Sequence, residues 1–93
     1  MASVKLHLLN VFYLKIKENV LDYNAKNIKE LISNFVSEYK EKIGEEFLNK
    51  KENFLNKQIL ILVNGRNIKF LNGKKTDLND GDKVYISIPV SGG

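Results

Sequence analysis

Apolar and polar residues alternate in the first segment of the chain. Valine or leucine occupies positions 4, 6 and 8, whereas Lys5 and His7 fall between them. A period of two predicts a β-strand with one face on a core and the other toward solvent. We therefore expect His7, the only histidine, to be an exposed strand residue rather than a metal ligand or a catalytic base.

A second and less regular apolar run covers residues 12–23. Phe12, Leu14 and Ile16 continue the alternation, but the polar stretch 17–19 interrupts it before it resumes. We interpret this segment as a loop followed by a second strand, antiparallel to the first.

The longest periodic segment predicts an amphipathic helix. Its apolar residues recur at steps of three and four and form one stripe over four turns: Ile28, Leu31, Ile32, Phe35, Val36, Tyr39 and Ile43. Asn27 is a suitable N-cap with Glu30 three residues further on, and Gly44 is placed to end the helix. The opposite face mixes lysine with glutamate, which favours packing on a sheet over binding to a membrane surface. We expect residues 45–57 to form a short helical turn and a loop.

The segment after this loop predicts a hairpin. Residues 59–63 form a continuous apolar run, which is typical of a strand covered on both faces. Asn64 and Gly65 follow directly, and an Asn-Gly pair between apolar runs is a strong hairpin signal, so the chain should return along residues 66–71. Two further pairs of this kind predict turns: Asn72-Gly73 and Asp80-Gly81.

The last predicted strand covers residues 83–88. Its even-numbered positions are apolar and should face inward, whereas Tyr85 and Ser87 should face outward; Pro89 then ends the hydrogen-bonded ladder. The resulting order is strand, strand, helix, strand, strand, strand. This order predicts the α+β class and a β-grasp domain over residues 1–88, in which a mixed sheet holds one helix on a single face, followed by a C-terminal tail of residues 89–93.

Composition excludes several classes of function. The chain has 93 residues, 43% of them hydrophobic and 28% charged, as expected for one ordinary soluble domain. It has no cysteine, which excludes a thiolate nucleophile, a zinc–cysteine cluster and a persulfide sulfur carrier. No apolar run approaches the roughly 20 residues of a membrane helix and no signal-peptide pattern is present, so we expect a cytoplasmic protein that does not bind membranes. The net charge of +4 comes almost entirely from lysine, with Arg66 the only arginine, which argues against a nucleic-acid partner.

The end of the chain, Ser91-Gly92-Gly93, has two interpretations. It is either a frayed terminus, as most termini are, or a slender arm that inserts its carboxylate into a partner's active site. Glycine lacks a Cβ and can lie in a narrow channel, and residues 90–93 can span about 13 Å when extended. The glycines alone favour the frayed terminus.

Three stretches of the C-terminal half carry a family resemblance. They are Leu62 to Leu71 (LVNGRNIKFL), Asp77 to Val84 (DLNDGDKV) and Pro89 to Gly93 (PVSGG). In this order and spacing they resemble the MoaD family of ubiquitin-like sulfur carriers, the small subunits of molybdopterin synthase. The similarity is sharpest over residues 59–93, and the helix at residues 27–43 extends it over most of the chain.

The resemblance implies that Gly93 carries the function. An adenylating partner enzyme would use ATP and magnesium to convert the Gly93 carboxylate to an acyl-adenylate, and a sulfur donor would displace AMP to leave a thiocarboxylate. The protein would then be a non-catalytic small subunit with no metal and no permanently bound cofactor, and the large synthase subunit would supply the catalysis. Gly92 and Ser91 would form the narrow neck of the carrier, and Pro89 and Val90 its stiff base.

One departure from the family concerns partner binding. The family often has Phe-Pro-Pro before Val-x-Gly-Gly, and here the corresponding stretch is Ser87-Ile88-Pro89. An aromatic residue that could anchor the synthase partner is thus replaced by Ser87. Tyr85, Phe70 and Leu71 are the other candidates for that contact, since aromatic anchors are common at interfaces.

The final acceptor stays open at this point. Sulfur transfer to the molybdenum or tungsten cofactor is the first hypothesis. A thiamine-pathway carrier is related, but such chains are shorter and lack the insert between Gly44 and Gln58. A ubiquitin-like modifier joined through Gly93 to lysines of target proteins, and a β-grasp interaction module with an incidental Gly-Gly end, are the remaining alternatives.

Overall fold

A computed structural model of the protein describes residues 1–89. Within that range, two helices and seven strands follow one another along the chain: β1 (Ala2–Leu8), α1 (Asn10–Ile16), β2 (Val20–Ala25), α2 (Ile28–Ile43), β3 (Leu48–Asn49), β4 (Phe54–Leu55), β5 (Leu60–Val63), β6 (Arg66–Asn67) and β7 (Lys83–Ser87). Three short 3-10 turns complete the list: Glu45–Phe47, Ile68–Phe70 and Gly73–Lys75.

Five of the strands form one mixed sheet in the order β2-β1-β7-β5-β6. The two central strands, β1 and β7, run parallel, and every other neighbouring pair is antiparallel. Helix α2 covers one face, where alternate residues of β1 and β7 are buried. This is the predicted β-grasp architecture, and the fold class is confirmed. It places β1 and β7, the first and last strands of residues 1–89, next to each other, with β7 at the centre of the sheet.

Helix α2 begins and ends as its sequence predicts. The Asn27 side chain accepts a hydrogen bond of 2.9 Å from the Glu30 backbone N–H, and Glu30 accepts one of 3.0 Å from the Lys26 N–H. At the other end, Gly44 has φ of +93°, a value that residues with a side chain rarely adopt. Apart from the half-buried Tyr39, the whole predicted stripe is buried.

The segment after β1 is a helix, not the predicted loop. Residues 10–16 form the two turns of α1, which bury Phe12 and Ile16 and leave Leu14 68% exposed. Phe12 and Ile16 are four residues apart and share one helix face, while Leu14 lies on another. The alternation of apolar residues was therefore misleading, because a spacing of four fits both a strand and a helix. The antiparallel strand β2, which follows, is confirmed.

Two other local predictions need correction. Residues 45–57 contain the small β3–β4 hairpin after their first turn, rather than a turn and a loop only. Strand β5 is not covered on both faces: Ile61 and Val63 are buried, whereas Leu60 and Leu62 are only half-buried. The Asn64-Gly65 hairpin turn is confirmed, with φ of +51° and +88°. The return strand β6 has only two residues before the chain enters a 3-10 turn.

Candidate functional site

The candidate site begins where β7 ends. The β5–β7 ladder reaches Ser87, which pairs with Leu60, and the chain then passes through Ile88 to Pro89. The predicted carrier residue Gly93, the neck residues Ser91 and Gly92, and Val90 of the predicted base lie outside the described residues. Central strand β7, held on both sides, therefore leads directly into this segment.

Ser87 is buried, contrary to the expectation that it faces outward to solvent. Its side chain is covered by the start of α1, and Asn10 Nδ2 donates a hydrogen bond of 2.7 Å to Ser87 Oγ. Ser87 Oγ donates in turn to the Ile88 carbonyl at 2.8 Å. The position at which the family often has an aromatic residue is here part of an internal polar network.

Asn10 also contacts the chain beyond Ser87. Its Oδ1 accepts hydrogen bonds from the Ile88 backbone N–H at 3.3 Å and from Val11 N–H at 3.0 Å. The neighbouring Leu9 N–H donates to the Ile86 carbonyl at 3.1 Å. The start of α1 is thus joined to the end of β7 by both backbone and side-chain bonds.

Tyr85 lies on the sheet face opposite α2, in a row with His7 on β1 and Leu62 on β5. The rings of His7 and Tyr85 are stacked, with centroids 4.4 Å apart and planes inclined by 21°. Beside this pair is an open depression of about 570 Å³. Its lining combines apolar and polar groups: Leu9, Leu62, Asn64, Gly65, Lys83 and Tyr85.

His7 has an unusual environment for a strand residue. The residue is half-buried rather than exposed as predicted, and its Nε2 is buried without a hydrogen-bond partner among the described residues. Burial lowers the pKa of His7, and the positive charges of Lys83 and Lys5 lower it further. These effects favour the neutral form of the imidazole on the open face of the sheet.

Phe70 and Leu71 lie at a different place. Phe70 ends the 3-10 turn after β6 and is 86% exposed, while Leu71 is half-buried against the core. Neither residue lines the depression beside Tyr85. The structure therefore places Ser87 and Pro89 at the end of β7 and Tyr85 on the same strand, but it does not bring Phe70 and Leu71 to them. A role of these residues in partner binding stays a prediction.

Two asparagines have roles at the site that the sequence did not predict: Asn10 was not a candidate, and Asn64 was predicted only as a hairpin-turn residue. Asn10 joins α1 to β7, and Asn64 joins the hairpin turn to β7 through bonds to the Lys83 N–H at 3.0 Å and to Asp82 Oδ1 at 2.9 Å. The four-residue spacing of Phe12 and Ile16 was the available signal for α1, but it fits a strand equally well. No sequence signal links Asn10 to Ser87, since the two are 77 positions apart.

Residues 1–89 contain neither a membrane-spanning helix nor a cluster of metal-ligating side chains. None of the helices there has the length and apolar character needed to cross a membrane. In the same range, no three side chains of His, Cys, Asp or Glu come together as possible metal ligands.

Solved structures of other proteins have the same fold. A solution structure of the small archaeal modifier protein 1 from Methanosarcina acetivorans is 30% identical and has a TM-score of 0.83, with 100% of this chain and 98% of that one covered. A structure from Pyrococcus furiosus, named as a candidate molybdopterin converting factor subunit 1, is 20% identical with a TM-score of 0.72 and supports the fold alone; the match covers 97% of this chain and 100% of that one.

Sequence comparison identifies the family. A protein of Archaeoglobus fulgidus named as a candidate sulfur carrier is 34% identical over 73 residues, which are 78% of this chain and 81% of that protein. The model of the ThiS family matches residues 9–93, which include α1, all of α2 and the terminal glycines. These matches confirm the resemblance stated from the sequence motifs. The chain belongs to the ThiS family, in the MoaD/ThiS superfamily of ubiquitin-like sulfur carriers and modifiers.

Proposed function

We propose that the protein is a sulfur carrier whose working group is the carboxylate of Gly93. The observation that carries this proposal is the family match, which extends from residue 9 to Gly93. A folded body that ends in a central strand and is followed at once by a short glycine-ended segment suits a carrier. The body can be recognised by a partner while the segment reaches the partner's active site.

The chemistry takes place on the carboxyl carbon of Gly93. In the partner's active site, a carboxylate oxygen attacks the α-phosphorus of ATP, and pyrophosphate leaves with the electrons of the broken P–O bond. Sulfide then attacks the carbonyl carbon, and AMP leaves with the oxygen of the broken C–O bond. With a sulfide donor the product is a Gly93 thiocarboxylate. ATP and magnesium belong to the adenylating partner, so the carrier itself needs no bound cofactor and performs no catalysis.

The finer role that we propose is that of the small subunit of molybdopterin synthase in biosynthesis of the molybdenum or tungsten cofactor. It is supported by the motif similarity over residues 62–71, 77–84 and 89–93. The partners would be the adenylating enzyme and the large synthase subunit. The open sheet face around Tyr85 offers both partners an aromatic surface beside the end of β7.

A second candidate function is that of a protein modifier, conjugated through Gly93 to lysines of other proteins. It is favoured by the structural match to the small archaeal modifier protein 1, which is 30% identical over the whole chain. Activation of Gly93 would be the same in both functions, and only the acceptor would differ. A carrier for the thiamine pathway is a third candidate, since the chain belongs to the ThiS family.

The activation step is tested by intact-mass spectrometry. The full chain is incubated with its cognate adenylating enzyme, ATP, magnesium and sulfide, and the mass should rise by the difference between sulfur and oxygen, with the change confined to Gly93. A chain lacking Gly93 is the matched control. Absence of the mass change, with the enzyme shown to be active on another carrier, would contradict both the carrier and the modifier functions.

The acceptor is tested in cells. A tagged form is expressed, the proteome is digested with trypsin, and lysines of other proteins are searched for the remnant of residues 84–93 that cleavage after Lys83 leaves. The form lacking Gly93 again serves as control. Abundant remnants would support the modifier. Absence of remnants together with restored molybdoenzyme activity in a strain lacking the gene would support the synthase subunit, whereas restored growth without thiamine would support the third candidate.

A further inference from the structure

Ile88 is the last residue before the single proline of the chain, and side chains hold both of its backbone polar groups. Its N–H donates to Asn10 Oδ1 at 3.3 Å, and its carbonyl accepts from Ser87 Oγ at 2.8 Å. The strand ladder has already ended at Ser87, so these bonds replace the strand pairing that Ile88 lacks. Pro89 has no N–H and cannot continue the ladder.

Asn10 is the centre of this arrangement. Its amide oxygen holds Ile88, and its amide nitrogen holds Ser87 Oγ at 2.7 Å, which fixes the hydroxyl that binds the Ile88 carbonyl. Its φ of +41° lies in the left-handed region that few residue types other than glycine and asparagine adopt readily. Glycine would fit this φ but has no side-chain amide, so residue 10 must both adopt a positive φ and provide two side-chain hydrogen bonds.

We propose that Asn10 is a positioning residue for the carrier reaction, which fixes the direction in which the chain leaves β7 and so aims the Gly93 carboxylate at the partner's ATP. The inference rests on the proposed function and adds to it a residue at the opposite end of the chain. Asn10 does not touch the reacting atoms and acts only through Ser87 and Ile88.

The size of the effect follows from conformational freedom. Without the Asn10 side chain, the peptide unit of Ile88 can rotate, and this freedom must be lost again when the terminal segment enters the partner's active site. The free-energy cost of fixing the backbone of one residue corresponds to a factor of about ten in an equilibrium constant. The partner still recognises the unchanged sheet face, so the loss should fall on kcat for adenylation rather than on KM.

Asn53 provides a matched control in the same chain. It also has a positive φ, of +50°, and its amide makes two hydrogen bonds, to the Ser33 carbonyl at 3.3 Å and to Ser37 Oγ at 2.8 Å. These bonds tie the β3–β4 hairpin to α2 and involve no residue of β7. Asn10→Gly and Asn53→Gly therefore make the same chemical change at the same kind of backbone position, and only the first affects Ile88.

The experiment measures ATP–pyrophosphate exchange with the full-length variants and their cognate adenylating enzyme. Asn10→Gly should lower kcat about tenfold with KM changed less than about twofold, and Asn53→Gly should leave both unchanged. Asn10→Asp keeps an acceptor for the Ile88 N–H and should recover most of the rate. Ser87→Ala, which leaves the backbone of residue 10 untouched, should give a smaller loss in the same direction and serves if Asn10→Gly does not fold.

Amide hydrogen exchange at Ile88 gives a second readout that does not depend on the enzyme. Exchange at Ile88 should become faster in Asn10→Gly but not in Asn53→Gly. An unchanged kcat despite faster exchange, or equal losses in both glycine variants, would overturn the positioning role. Failure of the wild-type chain to be adenylated would instead contradict the proposed function, and unchanged Ile88 exchange in Asn10→Gly would contradict the hydrogen bonds themselves.

Discussion

Replacement of Phe12 by alanine should strongly destabilise the protein, whereas replacement of Leu14 should not. Phe12 is fully buried at 0% exposure, and its ring lies 5.6 Å from that of Phe47, between centroids. Truncation of a buried phenylalanine costs about 3–5 kcal/mol, against a total of about 5–15 kcal/mol for a typical domain. For a domain of this size, Phe12→Ala should therefore lower Tm by roughly 12 °C or more.

Leu14 is the matched control in the same helix. It is 68% exposed, so Leu14→Ala should change the free energy of unfolding by no more than about 0.5 kcal/mol. Alanine is the best helix former, so neither substitution weakens α1 through its intrinsic propensity.

Urea denaturation followed by circular dichroism measures both variants, with a common m-value showing that the unfolding transition is unchanged. In a strand, residues 12 and 14 would lie on the same face and the two variants would lose similar amounts. A similar loss in both variants, or a loss below about 1 kcal/mol for Phe12→Ala, would show that the account of α1 is wrong.

Three other predictions concern the turn, the histidine and the tail. Gly65→Ala should lower the free energy of unfolding by about 1–2 kcal/mol, as measured by urea denaturation. Gly65 has φ of +88°, which strains a residue with a Cβ even though the Cβ itself would have open space. Gly65→Asn should lose clearly less, and equal losses would contradict this explanation by backbone strain. Burial, and then the charge of Lys83, hold the pKa of His7 below its usual 6.5, so the unfolded chain binds the proton more readily. The free energy of unfolding should therefore fall as the pH drops from about 6.5 toward the pKa of the folded state. His7→Gln should lose this pH dependence, and an unchanged dependence would refute its attribution to His7. Deletion of Gly92 and Gly93 should abolish activation in the mass assay and leave Tm unchanged within about 2 °C, since terminal residues seldom stabilise a fold; a larger fall in Tm would mean that the end of the chain is structural.

The elements that could be predicted are those whose signal is local. The stripe of α2, its Asn27 cap and the Asn64-Gly65 turn each depend on residues within a few positions of one another, and each is present in the structure. Strand β5 shows the opposite case. Five apolar residues in a row predict burial on both faces, but only one face of the sheet is covered by α2, so Leu60 and Leu62 remain half-buried on the open face. Which face is covered is decided by tertiary packing and not by the strand itself.

The residues of the candidate site also include some with a local sequence signal and some without one. The terminal glycines and the strand before them could be recognised from the sequence, because they are consecutive and belong to a family pattern. Asn10 could not, because its role depends on a parallel pairing of β1 with β7 that brings residue 10 beside residue 88. Ser87 illustrates the consequence. Alternation alone predicts an outward strand residue that no longer anchors a partner, whereas in the structure Asn10 of α1 donates a hydrogen bond to the Ser87 hydroxyl, which itself donates to the Ile88 carbonyl. Helix α1, which the alternating apolar pattern did not reveal, thus contributes the side chain that bonds Ser87, and Ser87 in turn holds the Ile88 carbonyl at the end of β7.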